Sequence, residues 1–359
     1  MRTTTIDMQN RRAAAPFLDA PILAALVVVM MLVAGCATAL PVSESGAAAP
    51  VGAAEAGAVA DAPQASEDEV AVAVENFDKV VVSTDWLAER LDDPTVRVIE
   101  VSVVPGVYER GHIPGAVNFV WHTDFVDTIK RDIVSRERFE ELVRAAGIDD
   151  DSTIVLYGDN NNWFSAWGAW IFNIYGAQDV RILDGGRIKW EAEGRELAVT
   201  TPSPAAGAFT AAEPDLGLRA FLPDVLSIVE GESNKALIDI RSPAEFEGTI
   251  FAPEGFQELA IRAGHIPTAV NVPWGRAVSE DGAFKSVEEL RELYAAVGVD
   301  GSKPVVVYCR IGERASHTWF VLSQILGYDV ALYDGSWTEW GNTVGVPIEN
   351  IAGTVWGVQ

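Results

Sequence analysis

The feature that most constrains this chain is an internal repeat. Arg110-Gly111-His112-Ile113-Pro114-Gly115-Ala116-Val117-Asn118 returns as Ala263-Gly264-His265-Ile266-Pro267-Thr268-Ala269-Val270-Asn271. Ile154-Val155-Leu156-Tyr157 returns as Val305-Val306-Val307-Tyr308, and Val98-Ile99-Glu100 as Leu237-Ile238-Asp239. Arg181-Ile182-Leu183-Asp184-Gly185-Gly186 returns as Ala331-Leu332-Tyr333-Asp334-Gly335-Ser336, followed by Trp190 in one copy and by Trp337 and Trp340 in the other. Anchors recurring in one order at nearly constant offset mean a duplicated domain. The second copy carries an insertion at about 247–262, ahead of its Gly-His-Ile-Pro turn.

Each copy alternates short β-branched runs with helical patterns. In the second, residues 236–240, 303–308 and 330–333 read as strands, and 286–297 and 315–326 as helices. Continuous apolar strands between helices predict an α/β fold, each copy a mostly parallel sheet with helices on both faces. The copies are placed at 77–199 and 215–359, joined by a Pro-, Ala-, Ser- and Thr-rich linker at 200–214.

Open α/β sheets take their ligands at the carboxyl ends of strands. There the second copy reads Cys309-Arg310-Ile311-Gly312-Glu313-Arg314-Ala315, a cysteine, a short loop and a helix start. Loop amides converging on the sulfur and the positive helix end would form an anion nest. Arg310 and Arg314 add charge of the same sign, so the thiol pKa is expected to fall below its free value of about 8.5. The residues alone leave a second reading open, a buried structural cysteine at a strand end.

The repeat acts as an internal control. Aligned on Tyr157 and Tyr308, Cys309 faces Gly158, and the first copy continues Asp159-Asn160-Asn161-Asn162 with no thiol and no arginine. The first domain is therefore read as catalytically silent. His112 and His265 occupy one slot in both copies and read as turn histidines, which weakens a Cys/His hydrolase with His265 as base. His317 reads as a satisfied helix residue, and Trp319, Trp337 and Trp340 as core. Cys309 to Arg314 is C-x-x-x-x-R, one residue shorter than the phosphatase loop, whose arginine would fall at Ala315.

The N-terminal region reads differently. Arg11 and Arg12 precede an apolar run, 22–34, too short for a comfortable bilayer span, and small residues lead to Cys36. This is the pattern of a secretory signal peptide. Val33-Ala34-Gly35-Cys36 resembles the lipobox of bacterial lipoproteins, which implies lipidation of Cys36 and an extracytoplasmic protein held at the cell membrane by its lipid anchor. Residues 37–76 are rich in Ala, Gly, Pro and acidic side chains and are expected to form a disordered tether. A formal charge of −26 argues against nucleic acid as a partner.

From about Phe77 onward the chain resembles the tandem-domain rhodaneses, sulfurtransferases of the thiosulfate/3-mercaptopyruvate group. The resemblance rests on the repeated GHIPxAVN turn, Asp239-Ile240-Arg241-Ser242, the Cys309–Ala315 loop and the Asp-Gly-(Gly/Ser)…Trp segment. It implies two tandem rhodanese domains with catalysis in the second, and Cys309 as a nucleophile that carries a persulfide between an anionic sulfur donor and a thiophilic acceptor. It implies no metal and no cofactor. Residues 310–315 would line the donor site, Asp239 and Arg241 would brace the loop, and Arg187 stands one position away from a substrate-binding arginine of the family. Cys-Arg at 309–310 favours thiosulfate over 3-mercaptopyruvate; a non-catalytic redox sensor or binding module is the competing class. Glu313 departs from the family pattern, and a carboxylate there would repel a dianionic donor unless it pairs with Arg310 or Arg314.

Overall fold

The computed structural model describes residues 66–255, 257 and 259–357. The signal segment with Cys36, and the tether as far as residue 65, lie outside them. Its strands are β1 (Val81–Val82), β2 (Val96–Glu100), β3 (Val117–Asn118), β4 (Val126–Asp127), β5 (Asp132–Ile133), β6 (Thr153–Tyr157), β7 (Val180–Leu183), β8 (Arg219–Ala220), β9 (Ala236–Asp239), β10 (Val270–Asn271), β11 (Val305–Tyr308) and β12 (Val330–Tyr333). Two five-stranded sheets form, ordered β1-β7-β6-β2-β3 and β8-β12-β11-β9-β10. The orders correspond strand for strand, and the pairings within both sheets are parallel. Helices flank both sheets, as the alternating pattern predicts. β4 and β5 make a separate antiparallel hairpin.

The two halves share a core. One apolar cluster holds Ile99, Trp167 and Trp170 from the first domain together with Val305, Val307 and Trp319 from the second. The equivalent helices Trp163–Ile174 and Ala315–Trp319 meet at this junction, where Trp163 packs edge-on against Trp274 at 4.8 Å between centroids. The opposite face of each sheet has its own cluster, around Trp190 in the first domain and around Trp337 and Trp340 in the second. The segment 315–326 is helical, but after Trp319 it widens into a π-helix, Phe320–Ile325.

One expectation needs correction. The tether expected through residue 76 gives way to a helix, Glu67–Val80. Ser66 caps it by accepting from the Glu69 amide, while the Glu69 side chain accepts from the Ser66 amide, a capping box. Val70, Ala73 and Phe77 follow at helical spacing, and the helix packs against elements of both domains. The linker at 200–214 packs on the first domain. Phe209 and Ala211 are buried in the first domain's core, and the amides of Gly207, Phe209 and Ala212 donate to carbonyls of Arg144, Ile148 and Tyr175. Among the described residues no helix is long and apolar enough to cross a membrane.

Candidate active site

Cys309 follows β11, the central strand of the second sheet, and its free thiol is fully buried. Its backbone amide donates to Ser336 Oγ at 3.1 Å, and its carbonyl accepts from the Trp337 amide at 3.0 Å. The chain then turns so that the Gly312 amide donates to Cys309 Sγ at 3.1 Å. Gly312 has φ +104, and a Cβ there would lie 2.5 Å from the Asp334 carbonyl oxygen. Glycine is required on both counts, because the backbone must be left-handed and must touch Asp334. The expected nest is narrower than the whole loop: the Ala315 amide, and the amides of Ser316 and His317 behind it, bond to carbonyls of Gly312, Glu313 and Arg314.

The loop's charged residues are held on three sides. Arg314 reaches Glu245 at 3.3 Å and lies over the Trp163 ring of the first domain, 5.6 Å from its centroid. Arg310 donates to the carbonyl of Gln257, within the second copy's insertion. Glu313 pairs with neither arginine as an ion pair. It is 5% exposed, and among the described residues one carboxyl oxygen has no hydrogen-bond partner. Burial and then the neighbouring Asp334 push its pKa up to about 8, against the pull of Arg131 and Arg310. At neutral pH this carboxyl is mostly protonated, so the anticipated charge repulsion is largely absent.

Asp239 and Arg241 brace the strand end beside the loop. Arg241 Nη2 donates to Asp239 Oδ2 at 2.6 Å and to the Gly264 carbonyl at 2.7 Å, joining β9 to the Gly-His-Ile-Pro turn. Its guanidinium also lies over Trp337, 4.8 Å from the ring centroid. Burial opposes the charge, yet Asp239 outweighs it and raises the Arg241 pKa.

Arg187 belongs elsewhere. It is buried in the first domain, where Nη1 meets Glu100 Oε1 at 3.0 Å, Nε meets Glu191, and Nη2 donates to the Gly111 carbonyl. Gly111 is the repeat equivalent of Gly264, so Arg187 does for the first copy what Arg241 does for the second. Its place as a donor-binding arginine is thereby corrected: its hydrogen-bonding edge is committed to its own domain.

The first domain has no room for a thiol. A Cβ on Gly158 would lie 2.3 Å from the Val101 carbonyl oxygen. The loop is instead filled by Asn162, which accepts from the Gly158 amide at 3.1 Å and donates to the Leu183 carbonyl at 2.8 Å. Asn160, Asn161 and Asn162 are all left-handed, a conformation asparagine tolerates better than most side chains. His112 and His265 stack on Tyr108 and Phe246 and bond to their carbonyls, as turn residues. His317 differs from expectation. It is buried against the Trp274 and Phe284 rings, without a hydrogen-bond partner among the described residues, and burial lowers its pKa to about 4. It is a neutral core imidazole.

Sequence reasoning missed Arg131, from the turn between β4 and β5 of the first domain. Its Nη1 donates to Asp334 Oδ1 at 2.9 Å, and Nη2 donates to the carbonyls of Ile311 at 2.5 Å and Asp334 at 3.2 Å. Arg219 joins the same cluster, 2.7 Å from Asp132 and 3.5 Å from Asp334.

The rhodanese-like domain model matches this chain twice, at residues 83–193 and 223–343. The chain belongs to the rhodanese-like family. A relative from Saccharopolyspora erythraea named "Putative thiosulfate sulfurtransferase" is 52% identical over 275 residues, 76% of this chain and 97% of that protein. The Thermus thermophilus protein "Sulfur carrier protein TtuD" is 52% identical over 274 residues, 75% of this chain and 96% of its own length. Among solved structures, SseA from Escherichia coli, described as a 3-mercaptopyruvate sulfotransferase with the rhodanese fold, superposes with TM-score 0.62 at 30% identity. It covers 72% of this chain and 98% of its own. With a rhodanese-like relative named a thiosulfate sulfurtransferase at 52% identity over most of both chains, this protein is a sulfurtransferase.

Proposed function

We propose that this sulfurtransferase draws its sulfane sulfur from thiosulfate and passes it, through a persulfide on Cys309, to a thiophilic acceptor such as cyanide or a thiol. The observation that carries this reading is the Gly312 amide directed at Cys309 Sγ, in the one copy whose strand end has space for a thiol. The Cys309 thiolate attacks the outer sulfur of thiosulfate; that S–S bond breaks and its electron pair leaves with sulfite. The new bond leaves Cys309-S-S⁻, whose charge the Gly312 amide and the cationic surroundings stabilise. Cyanide then attacks the terminal sulfur, giving thiocyanate and restoring the thiolate.

Thiocyanate formation from thiosulfate and cyanide should give parallel double-reciprocal lines, the mark of a two-step covalent cycle. Thiosulfate should be preferred to 3-mercaptopyruvate; intersecting lines, or a preference for 3-mercaptopyruvate, would contradict the assignment. The pH profile carries a second expectation. Glu313 is neutral below about 8 and ionised above it, placing a negative charge in the loop. kcat/KM for thiosulfate should therefore fall about ten-fold as pH rises through that range. Glu313→Gln, which has no proton to lose, should lack this decline, and an identical alkaline limb in the variant would refute the role given to Glu313.

We further propose that the enzyme works outside the cytoplasmic membrane, tethered by lipid on Cys36; Val33-Ala34-Gly35-Cys36 after a short apolar run supports this. Cells fed labelled fatty acid should yield labelled protein in the membrane fraction. Equal labelling of Cys36→Ser would overturn the assignment.

A further inference from the structure

The pseudo-symmetry between the two domains singles out Arg131. Both copies have a short turn just before a helix whose N-cap is serine, Ser135 in the first and Ser286 in the second. Counting back from that serine, Arg131 and Gly282 are equivalent, and the offset of 151 residues is the one that relates Gly158 to Cys309. Both are left-handed, Arg131 with φ 55 and Gly282 with φ 80. Each turn leans on the Asp-Gly segment of the other domain. The second domain's turn meets Asp184, whose Oδ1 accepts from the Phe284 amide at 2.9 Å. The first domain's turn meets Asp334, beside the Cys309 loop.

The turn that faces the silent loop thus has glycine at the left-handed position. The turn that faces Cys309 has arginine there, in a conformation that side chains other than glycine rarely adopt. Nothing in the turn demands arginine: the Asp127 side chain already holds the amides of Ile129 and Lys130, and the Asp127 carbonyl holds the amide of residue 131. What arginine adds is a guanidinium bonded to the Ile311 carbonyl, within the cysteine loop, and to Asp334, on which Gly312 packs. Its charge acts on Glu313 and on Asp334, favouring the ionised form of each. Its side chain is 50% exposed, whereas Cys309 is fully covered, so this guanidinium is open to a solute while bonded to the loop that covers the sulfur.

We propose that Arg131 is the donor-binding residue through which the silent domain serves the reaction, releasing Asp334 and the Ile311 carbonyl to take the sulfonate oxygens of thiosulfate. Planar paired N–H groups suit such oxygens. Asp334 remains partnered by Arg219 when Arg131 leaves it. Arg131 is thus a positioning and specificity residue on the donor side of the cycle only, since the persulfide needs no sulfonate contact to be discharged by cyanide. The inference rests on the sulfurtransferase reading with an anionic donor.

Arg131→Gly gives this turn the residue its counterpart already has, so the fold should be retained. KM for thiosulfate should rise about 10- to 100-fold, the range expected when a hydrogen-bonded charge is removed. Discharge of preformed persulfide by cyanide should keep its rate, and the salt dependence of kcat/KM for thiosulfate should weaken. Arg131→Lys should recover part of the loss. An unchanged KM for thiosulfate, or equal slowing of both half-reactions, would overturn the proposal. Absence of persulfide in the wild-type enzyme would instead sink the sulfurtransfer reading beneath it.

Discussion

Cys309→Ser should abolish thiocyanate formation, a loss of about 10⁴-fold or more, while leaving the folded structure as stable as before. A serine hydroxyl at neutral pH is a far weaker nucleophile than a thiolate, and it cannot form the persulfide. The first domain offers no substitute, because Gly158 stands at the equivalent position with the Val101 carbonyl against it. Folding has little reason to suffer. The contacts that fix the strand end are backbone ones, from the Cys309 amide to Ser336 and from the Trp337 amide to the Cys309 carbonyl. Steady-state assay with thiosulfate and cyanide, alongside guanidinium unfolding, separates the two effects. Residual turnover above about 1% of wild type would mean that another group accepts the sulfur.

The second large effect is on stability. Arg241→Leu should destabilise the protein by about 3–5 kcal/mol, because it leaves the Asp239 carboxylate buried without its counter-charge. Asp239 is 0% exposed, and both of its oxygens accept from Arg241. The Gly264 carbonyl loses its donor at the same time, loosening the Gly-His-Ile-Pro turn. The double variant Asp239→Asn/Arg241→Leu should be less damaged than Arg241→Leu alone, since no bare charge is left behind. Chemical unfolding of wild type, both single variants and the double variant measures that coupling. Additive effects would mean that the pair does not act as a unit.

Much of this was legible in the sequence because repetition supplied its own control. Four pairs of matched segments carried the sheet-helix alternation, and the mismatch of Cys309 with Gly158 singled out the copy that holds the thiol. Asp239 and Arg241 were marked by the family resemblance, and their pairing is local, two residues apart at one strand end. Arg131 was not legible, since it meets Asp334 across 203 residues of sequence, and only the packing of the two domains brings them together. Arg187 misled for the related reason that an arginine's partner is set by three-dimensional neighbours: Glu100, 87 residues earlier, claims it. Glu313 turned on protonation, which depends on burial and on Asp334. The helix Glu67–Val80 did leave a signal, Ser66 and Glu69 ahead of a helical apolar stripe, at the end of an otherwise featureless acidic stretch.

The most direct measurement takes purified protein, reduces it, adds thiosulfate without acceptor, and weighs the peptide containing Cys309. The account predicts a gain of one sulfur atom on Cys309, released as thiocyanate when cyanide is added. A peptide of unchanged mass, or sulfur found on any other residue, would contradict it.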